Sequence, residues 1–332
     1  MIEKSIVNVL LITYNQERFV GKAIESVLMQ VVDEQTSVTL VVADDCSTDN
    51  TLGVIKSYEE KSPFPFVYLS RNQNVGISRN YQLAIEACDG DYVAVLEGDD
   101  YWLDCMRLKK HLDYLNSHKE CVMTVNSRLE YDQKKELFVT TDCLKNYCFS
   151  LLDTIKDYDF IRNLSAVVFR RKKLDQMNPR LFEVANHFGG ICVDRFMVHD
   201  VLQRGYGFHF RDVMSVYRIH TGKNASFVHF TNASIEEQID YHKRFSDEAN
   251  SLLNVDCSSA FQTLFETREN ELKELELYLK KTKLCRFIPP ILVDLFFFTP
   301  RLCAFIKKCV RALIPSGLYS TMKSIKAKLN KK

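Results

Sequence analysis

The sequence predicts a doubly wound α/β fold: a mixed, mainly parallel sheet with flanking helices, followed by a helical C-terminal extension. Two observations predict it. Apolar runs of strand length alternate with helix-spaced segments through the first hundred residues, and polar clusters close those runs at one end. A continuous apolar run is the pattern of a strand covered on both faces. Strands alternating with helices build a parallel sheet.

Each element has its own signal. Ile6 to Tyr14 is the first such run, and Phe19, Ala23, Ile24, Val27 and Leu28 follow at helical spacing. Ser37 to Ala43 is a second strand, broken by Asp44-Asp45-Cys46-Ser47-Thr48-Asp49, a segment suited to capping the next helix. Phe66 to Leu69 is a short third strand. A loop with Asn72, Asn74 and Gly76 leads to a helix over Ser78 to Cys88. Tyr92 to Leu96 is a fourth buried strand, ending at Glu97-Gly98-Asp99-Asp100. Beyond it the pattern predicts a helix over 103–118, mixed strands and loops over 121–170, a helix from Val193 to Gln203, a strand from Gly207 to Arg218, and a charged helical stretch from Ser234 to Lys283. In such sheets ligands bind beyond the carboxyl ends of the strands. Thr13-Tyr14-Asn15, Asp44-Asp45 and Asp99-Asp100 all fall there.

Composition narrows the function. The chain has 332 residues, 46% hydrophobic and 26% charged, with a net charge of +1, which gives no basis for nucleic-acid binding. The charge is divided unevenly: residues 281–332 hold twelve Lys/Arg and one acid, leaving 32 basic and 42 acidic residues before them. The eleven cysteines show neither CxxC pairs nor zinc spacing, which suits a reducing cytoplasm. The N-terminus lacks a signal-peptide pattern, and no apolar run reaches the roughly 18–20 residues of a spanning helix.

Three carboxylates within four residues, Glu97, Asp99 and Asp100, repel one another and invite a hard divalent cation such as Mg²⁺ or Mn²⁺, which also binds phosphate oxygens. The bland reading is a solvated acidic turn; the buried strand before it and Tyr101-Trp102 after it favour a site. Asp44 or Asp45 could accept a hydrogen bond from a base or ribose, or cap a helix. Tyr14 could stack on a flat base.

Four segments in order, 10–30, 41–51, 72–80 and 90–102 (LLITYNQERFVGKAIESVLMQ, VVADDCSTDNT, NQNVGISRN, GDYVAVLEGDDYW), resemble the family 2 glycosyltransferases of GT-A fold. The resemblance implies a transferase that takes a sugar from a nucleotide-diphosphate donor, UDP-linked by expectation, and builds a bacterial cell-surface glycan. Thr13, Tyr14 and Asp45 would line the nucleotide site, with Asp44 beside them. Glu97 or Asp99 would reach the ribose, Asp99 the metal-bound diphosphate, and Arg79 the donor. Asp99, Asp100 and His220 would be the metal ligands; His220 closes Tyr217-Arg218-Ile219-His220, where relatives turn a His or Arg to the metal or diphosphate. The family's acidic motif is usually Asp-any-Asp; Glu97 stands first here and Asp100 follows directly. Asp194, at a helix start, would be the base of an inverting displacement, with Asp200 as the second choice.

The expected organisation is a catalytic domain over 1–230 (1–102 for the nucleotide, 103–230 for acceptor and catalysis), a charged helical segment over 231–283 and a basic apolar tail over 284–332, which the resemblance does not cover. In the tail, Pro289, Pro290, Pro300 and Pro315 break the apolar pieces, and Lys307, Lys308 and Arg311 flank them. Such pieces suit the inner face of a membrane, near a glycan or lipid-linked saccharide acceptor; packing on the catalytic domain or a second copy of the chain is the alternative. Other classes fit less well. No basic Gly-rich phosphate loop supports a nucleotidyltransferase, and no GxGxxG follows the first strand as a dinucleotide enzyme would require. A non-catalytic, nucleotide-binding membrane partner of GT-A fold is the remaining alternative.

Overall fold

The computed structural model describes residues 5–69, 71–133, 135–140, 145–156, 161, 163–190, 192–219 and 234–282. The first half of the sheet holds four parallel strands: β1 (Ser5–Thr13), β2 (Thr36–Asp44), β3 (Phe66–Tyr68) and β4 (Tyr92–Glu97). They alternate with α1 (Val20–Leu28), α2 (Thr51–Lys56) and α3 (Ile77–Glu86). Alternate residues of β1 enter opposite cores, which is the physical meaning of its unbroken apolar run. Val7, Val9 and Leu11 pack with Val20, Ile24 and Val27 of α1. Leu10 and Ile12 pack with Tyr81, Ala84 and Ile85 of α3.

The second half extends the same sheet through β5 (Tyr101–Trp102), β6 (Cys121–Asp132), β7 (Leu137–Thr140), β8 (Tyr147–Phe149), β9 (Val167–Arg170) and β10 (Tyr206–Ile219). The spatial order is β3-β2-β1-β4-β9-β6-β10-β5, with β7 on β6 and β8 on β10. β6 and β10 are parallel to each other, and β9 runs antiparallel between β4 and β6. The sheet is therefore mixed and mainly parallel along its path. An antiparallel strand begins where its neighbours end. The turn just before β9 thus lies beside the carboxyl end of β4, a placement on which the site depends.

The helices of this half are α4 (Arg107–Ser117), α5 (Leu151–Lys156), α6 (Arg171–Leu174), α7 (Leu181–His187) and α8 (Val193–Leu202). The charged helical stretch expected from Ser234 consists of two helices, α9 (Ile235–Leu252) and α10 (Ser258–Thr282). Ser234 opens α9 with a capping box to Glu237. The chain between the two helices is pinned: Asn250 Oδ1 accepts from the Cys257 amide and Gln203 Oε1 from the Asn254 amide. Tyr241 and Phe245 pack on Phe188 and Phe196, and Phe261 packs on His199, so this helical pair shares the larger core. Among the described residues no helix is long and apolar enough to cross a membrane. The described cysteines, from Cys46 to Cys257, are free thiols.

Candidate active site

The ends of β1, β2 and β4 form one rim. Asn15, in the left-handed region at φ 52°, turns its Oδ1 to accept from the Thr48 amide and hydroxyl. Asp44 accepts from the Ser47 amide and hydroxyl, so it closes its own turn and does not cap α2, which begins after Asn50. Asp45 accepts from the Val75 and Gly76 amides with its two carboxylate oxygens and thereby fixes the loop before α3. Tyr14 is exposed on the same rim, and Thr13 beneath it is buried. Arg79, in the first turn of α3, is exposed and donates to Gln82.

The acid cluster follows β4. Carboxylate oxygens of Glu97, Asp99 and Asp100 lie within 4.8 Å of one another. Gly98 makes this turn possible: a Cβ there would stand 2.5 Å from Gln16 Oε1 and 2.9 Å from Thr13 Oγ1. Asp100 is buried and faces inward. Its Oδ2 accepts from Asn163 Nδ2 (2.5 Å) and Ser165 Oγ (2.7 Å), and its Oδ1 from the Arg218 amide (2.8 Å). Glu97 accepts from the Tyr81 hydroxyl at 2.8 Å and from Asn163 Nδ2 at 3.1 Å. Asp99 remains partly exposed. Burial, then the charges of its neighbours, push the Asp100 carboxyl up to about 7 and hold that of Glu97 well above the usual carboxylate range. A cation would relieve this repulsion, and the cluster offers the oxygen donors that Mn²⁺ and Mg²⁺ prefer. The residues present therefore fit a divalent ion.

Asp194 lies in the first turn of α8, behind the cap residue Cys192. It is close enough to Glu97 and Tyr81 for its charge to raise both groups. Burial raises the Asp194 carboxyl, opposed by Arg195 and Arg128. Gly190, at φ 78°, lets the chain enter α8 against Ile77 and Ser78, because a Cβ there would meet Ile77 at 2.2 Å. Asp200, the second choice as base, is engaged elsewhere: it is buried in an ion pair with Arg204 and accepts from the Asn178 amide. Arg218 donates from Nε to the Asp99 carbonyl and lies between the rings of Phe19 and Tyr131. His220 and the basic tail lie outside the described residues.

Three residues that sequence reasoning missed, Tyr81, Asn163 and Ser165, contact the acids directly. Asn163 and Ser165 precede the apolar run of β9, and it is the antiparallel placement of β9 beside β4 that brings them to the acids.

The model of the family described as glycosyl transferase family 2 matches residues 8–177. An uncharacterized protein of Mycobacterium tuberculosis is 31% identical over 176 residues, 52% of this chain and 49% of that one. The poly(ribitol-phosphate) beta-N-acetylglucosaminyltransferase TarS of Staphylococcus aureus is 27% identical over 121 residues, 36% of this chain and 21% of its own. The chain thus spans half or less of the length of these relatives. A TarS 1–349 crystal structure in complex with UDP superposes with a TM-score of 0.55 at 15% identity, covering 81% of this chain and 90% of that one. The mannosyltransferase PcManGT of Pyrobaculum calidifontis, in complex with GDP-Man and Mn²⁺, gives 0.55 at 13% identity, covering 98% and 84%. These likenesses show a shared GT-A-like fold, and a family match over half of the sequence shows more: the chain belongs to glycosyl transferase family 2.

Proposed function

We propose that this chain moves a sugar from a UDP-linked donor to a glycan or lipid-linked acceptor at the inner face of a membrane, with inversion at the anomeric carbon. The observation that carries this reading is the acid cluster at the end of β4 with Asp194 within electrostatic reach of it. Tyr14, Thr13, Asp44 and Asp45 form the nucleoside side, and the exposed Arg79 cation the diphosphate side. Asp99, the partly exposed acid, would be the direct carboxylate ligand for Mn²⁺ or Mg²⁺, with His220 as a further ligand, while Asp100, buried behind it, would shape the acid turn. When bound, the divalent ion supplies charge neutralisation to the departing diphosphate.

Asp194 takes the acceptor hydroxyl proton as the new C–O bond forms, and the bond to the diphosphate breaks with its electron pair leaving on phosphate oxygen. A carboxylate raised by burial is a stronger base than one in water, and it is correctly ionised above its pKa. Residues 1–230 serve as the catalytic domain, 231–283 as a helical support and 284–332 as the membrane-facing tail.

The test is nucleoside diphosphate release from a panel of sugar donors, measured with membrane extract as acceptor source. Asp194→Asn is expected to abolish transfer while donor affinity stays within about threefold. Asp99→Asn is expected to lose both together. Equal loss of binding and transfer in Asp194→Asn would remove Asp194 from the base role. Retention of nucleotide without turnover of any donor would favour the non-catalytic partner.

A further inference from the structure

Asp100 is buried, yet it belongs to the acid turn, and its two carboxylate oxygens already accept three hydrogen bonds from protein donors. Two of those donors, Asn163 and Ser165, come from the turn before β9, more than sixty residues away. Both do double duty. Asn163 Nδ2 bridges Asp100 and Glu97. Ser165 Oγ donates to Asp100 and accepts from the Glu97 amide at 2.9 Å, so one hydroxyl ties together both ends of the turn.

Ser165 is itself held from behind. Its carbonyl accepts from Trp102 Nε1 at 2.9 Å and from the Arg107 guanidinium at 3.2 Å. Arg107 lies 4.2 Å from the Trp102 ring centre and donates to Asn126 Oδ1, and Asn163, Ser165, Trp102 and Arg107 are all buried. A buried arginine costs free energy, and here Nη2 reaches the Ser165 carbonyl while Nε reaches Asn126 Oδ1. Such a layer fixes the orientation of the groups in front of it.

We infer that Asn163 and Ser165 are positioning residues that hold Asp100 inward as a brace of the acid turn, leaving Asp99 to face the donor. Asp100 then acts through the shape of the turn and not as a direct ligand. The inference rests on the metal-diphosphate reading only for its binding consequence; the geometric claim stands without it.

The experiment uses the full chain with Asn163→Ala, Ser165→Ala, Asp100→Ala and Asp99→Ala. Melting temperature and near-ultraviolet dichroism establish folding. Two readouts follow: Mn²⁺ affinity in the presence of UDP, by electron paramagnetic resonance, and metal-free amide hydrogen exchange. In Asn163→Ala and Ser165→Ala, exchange at the Arg218 and Asp100 amides should speed at least tenfold, with distant strands unchanged. Mn²⁺ affinity should fall roughly 10–100-fold, the range for groups that orient a metal site from behind. Asp100→Ala should match them, and adding Asn163→Ala to it should cost little more. Asp99→Ala should abolish Mn²⁺ binding. Folded Asn163→Ala and Ser165→Ala proteins with unchanged exchange would overturn the inference, as would loss of all Mn²⁺ binding in Asp100→Ala with affinity preserved in those two. If the parent chain binds no Mn²⁺ with UDP, the functional reading fails, and the exchange result still decides the brace.

Discussion

Asp45 combines two tasks at the residue scale. Its carboxylate holds the 74–76 loop through two amides, and it stands on the rim where a nucleotide would lie. Asp45→Asn replaces one acceptor with an NH₂ facing an amide. The expected cost is about 1–3 kcal/mol, read as a lower melting temperature, with weaker nucleotide affinity. Gly98→Ala should also destabilise, by about 1–3 kcal/mol, because the added carbon meets Gln16 and Thr13. An unchanged melting temperature in Gly98→Ala would mean the turn can shift freely. The acids themselves were legible in the sequence because they crowd a four-residue stretch. Asn163 and Ser165 were not: an isolated Asn and Ser before an apolar run have no local pattern, and their contact exists only once β9 is laid antiparallel beside β4. Tyr81 was hidden for a similar reason: an aromatic residue on an amphipathic helix reads as core, and the contact of its hydroxyl with Glu97 exists only in the fold.

At the scale of elements, β1, β2 and β4 were legible almost to the residue, since a strand covered on both faces leaves an unbroken apolar run. The break between α9 and α10 was not, because Leu253 to Cys257 contains neither Gly nor Pro and is set by side-chain acceptors from Asn250 and Gln203. This helical pair packs on α8, the helix that carries Asp194, and it buries His199 and His242. Burial, then the Arg195 charge at His199 and those of Arg268 and Arg195 at His242, lower both histidines to about 3. The unfolded chain therefore binds more protons between pH 6.5 and 3, and stability contributed here is lost as pH falls below 6.5. Asp100 has the opposite sign, since its raised carboxyl favours the folded state at lower pH. The difference between proteins isolates the histidines: His199→Gln with His242→Gln should flatten the fall in melting temperature from pH 6.5 to 4.5. A parallel fall in both proteins would show that other groups set it.

The whole molecule joins an acidic body to a basic tail. The mixed sheet was legible as a class, but the position of β9 was not, because four residues such as Val167 to Arg170 carry no sign of strand direction. On the proposed membrane role, replacing Lys307, Lys308 and Arg311 with Gln should weaken binding to anionic vesicles by about 1 kcal/mol each. Co-sedimentation at low salt measures this, and unchanged binding would assign the tail to protein packing. On the proposed function, the rim of β1, β2 and β4 binds a nucleotide through a divalent ion on the acid turn. Calorimetric titration with UDP, GDP, CDP and TDP, in Mn²⁺, Mg²⁺ and chelator, tests it most directly. Tight binding of UDP that disappears with chelator is the expected result; a folded protein that binds no nucleotide under any of these conditions would contradict it.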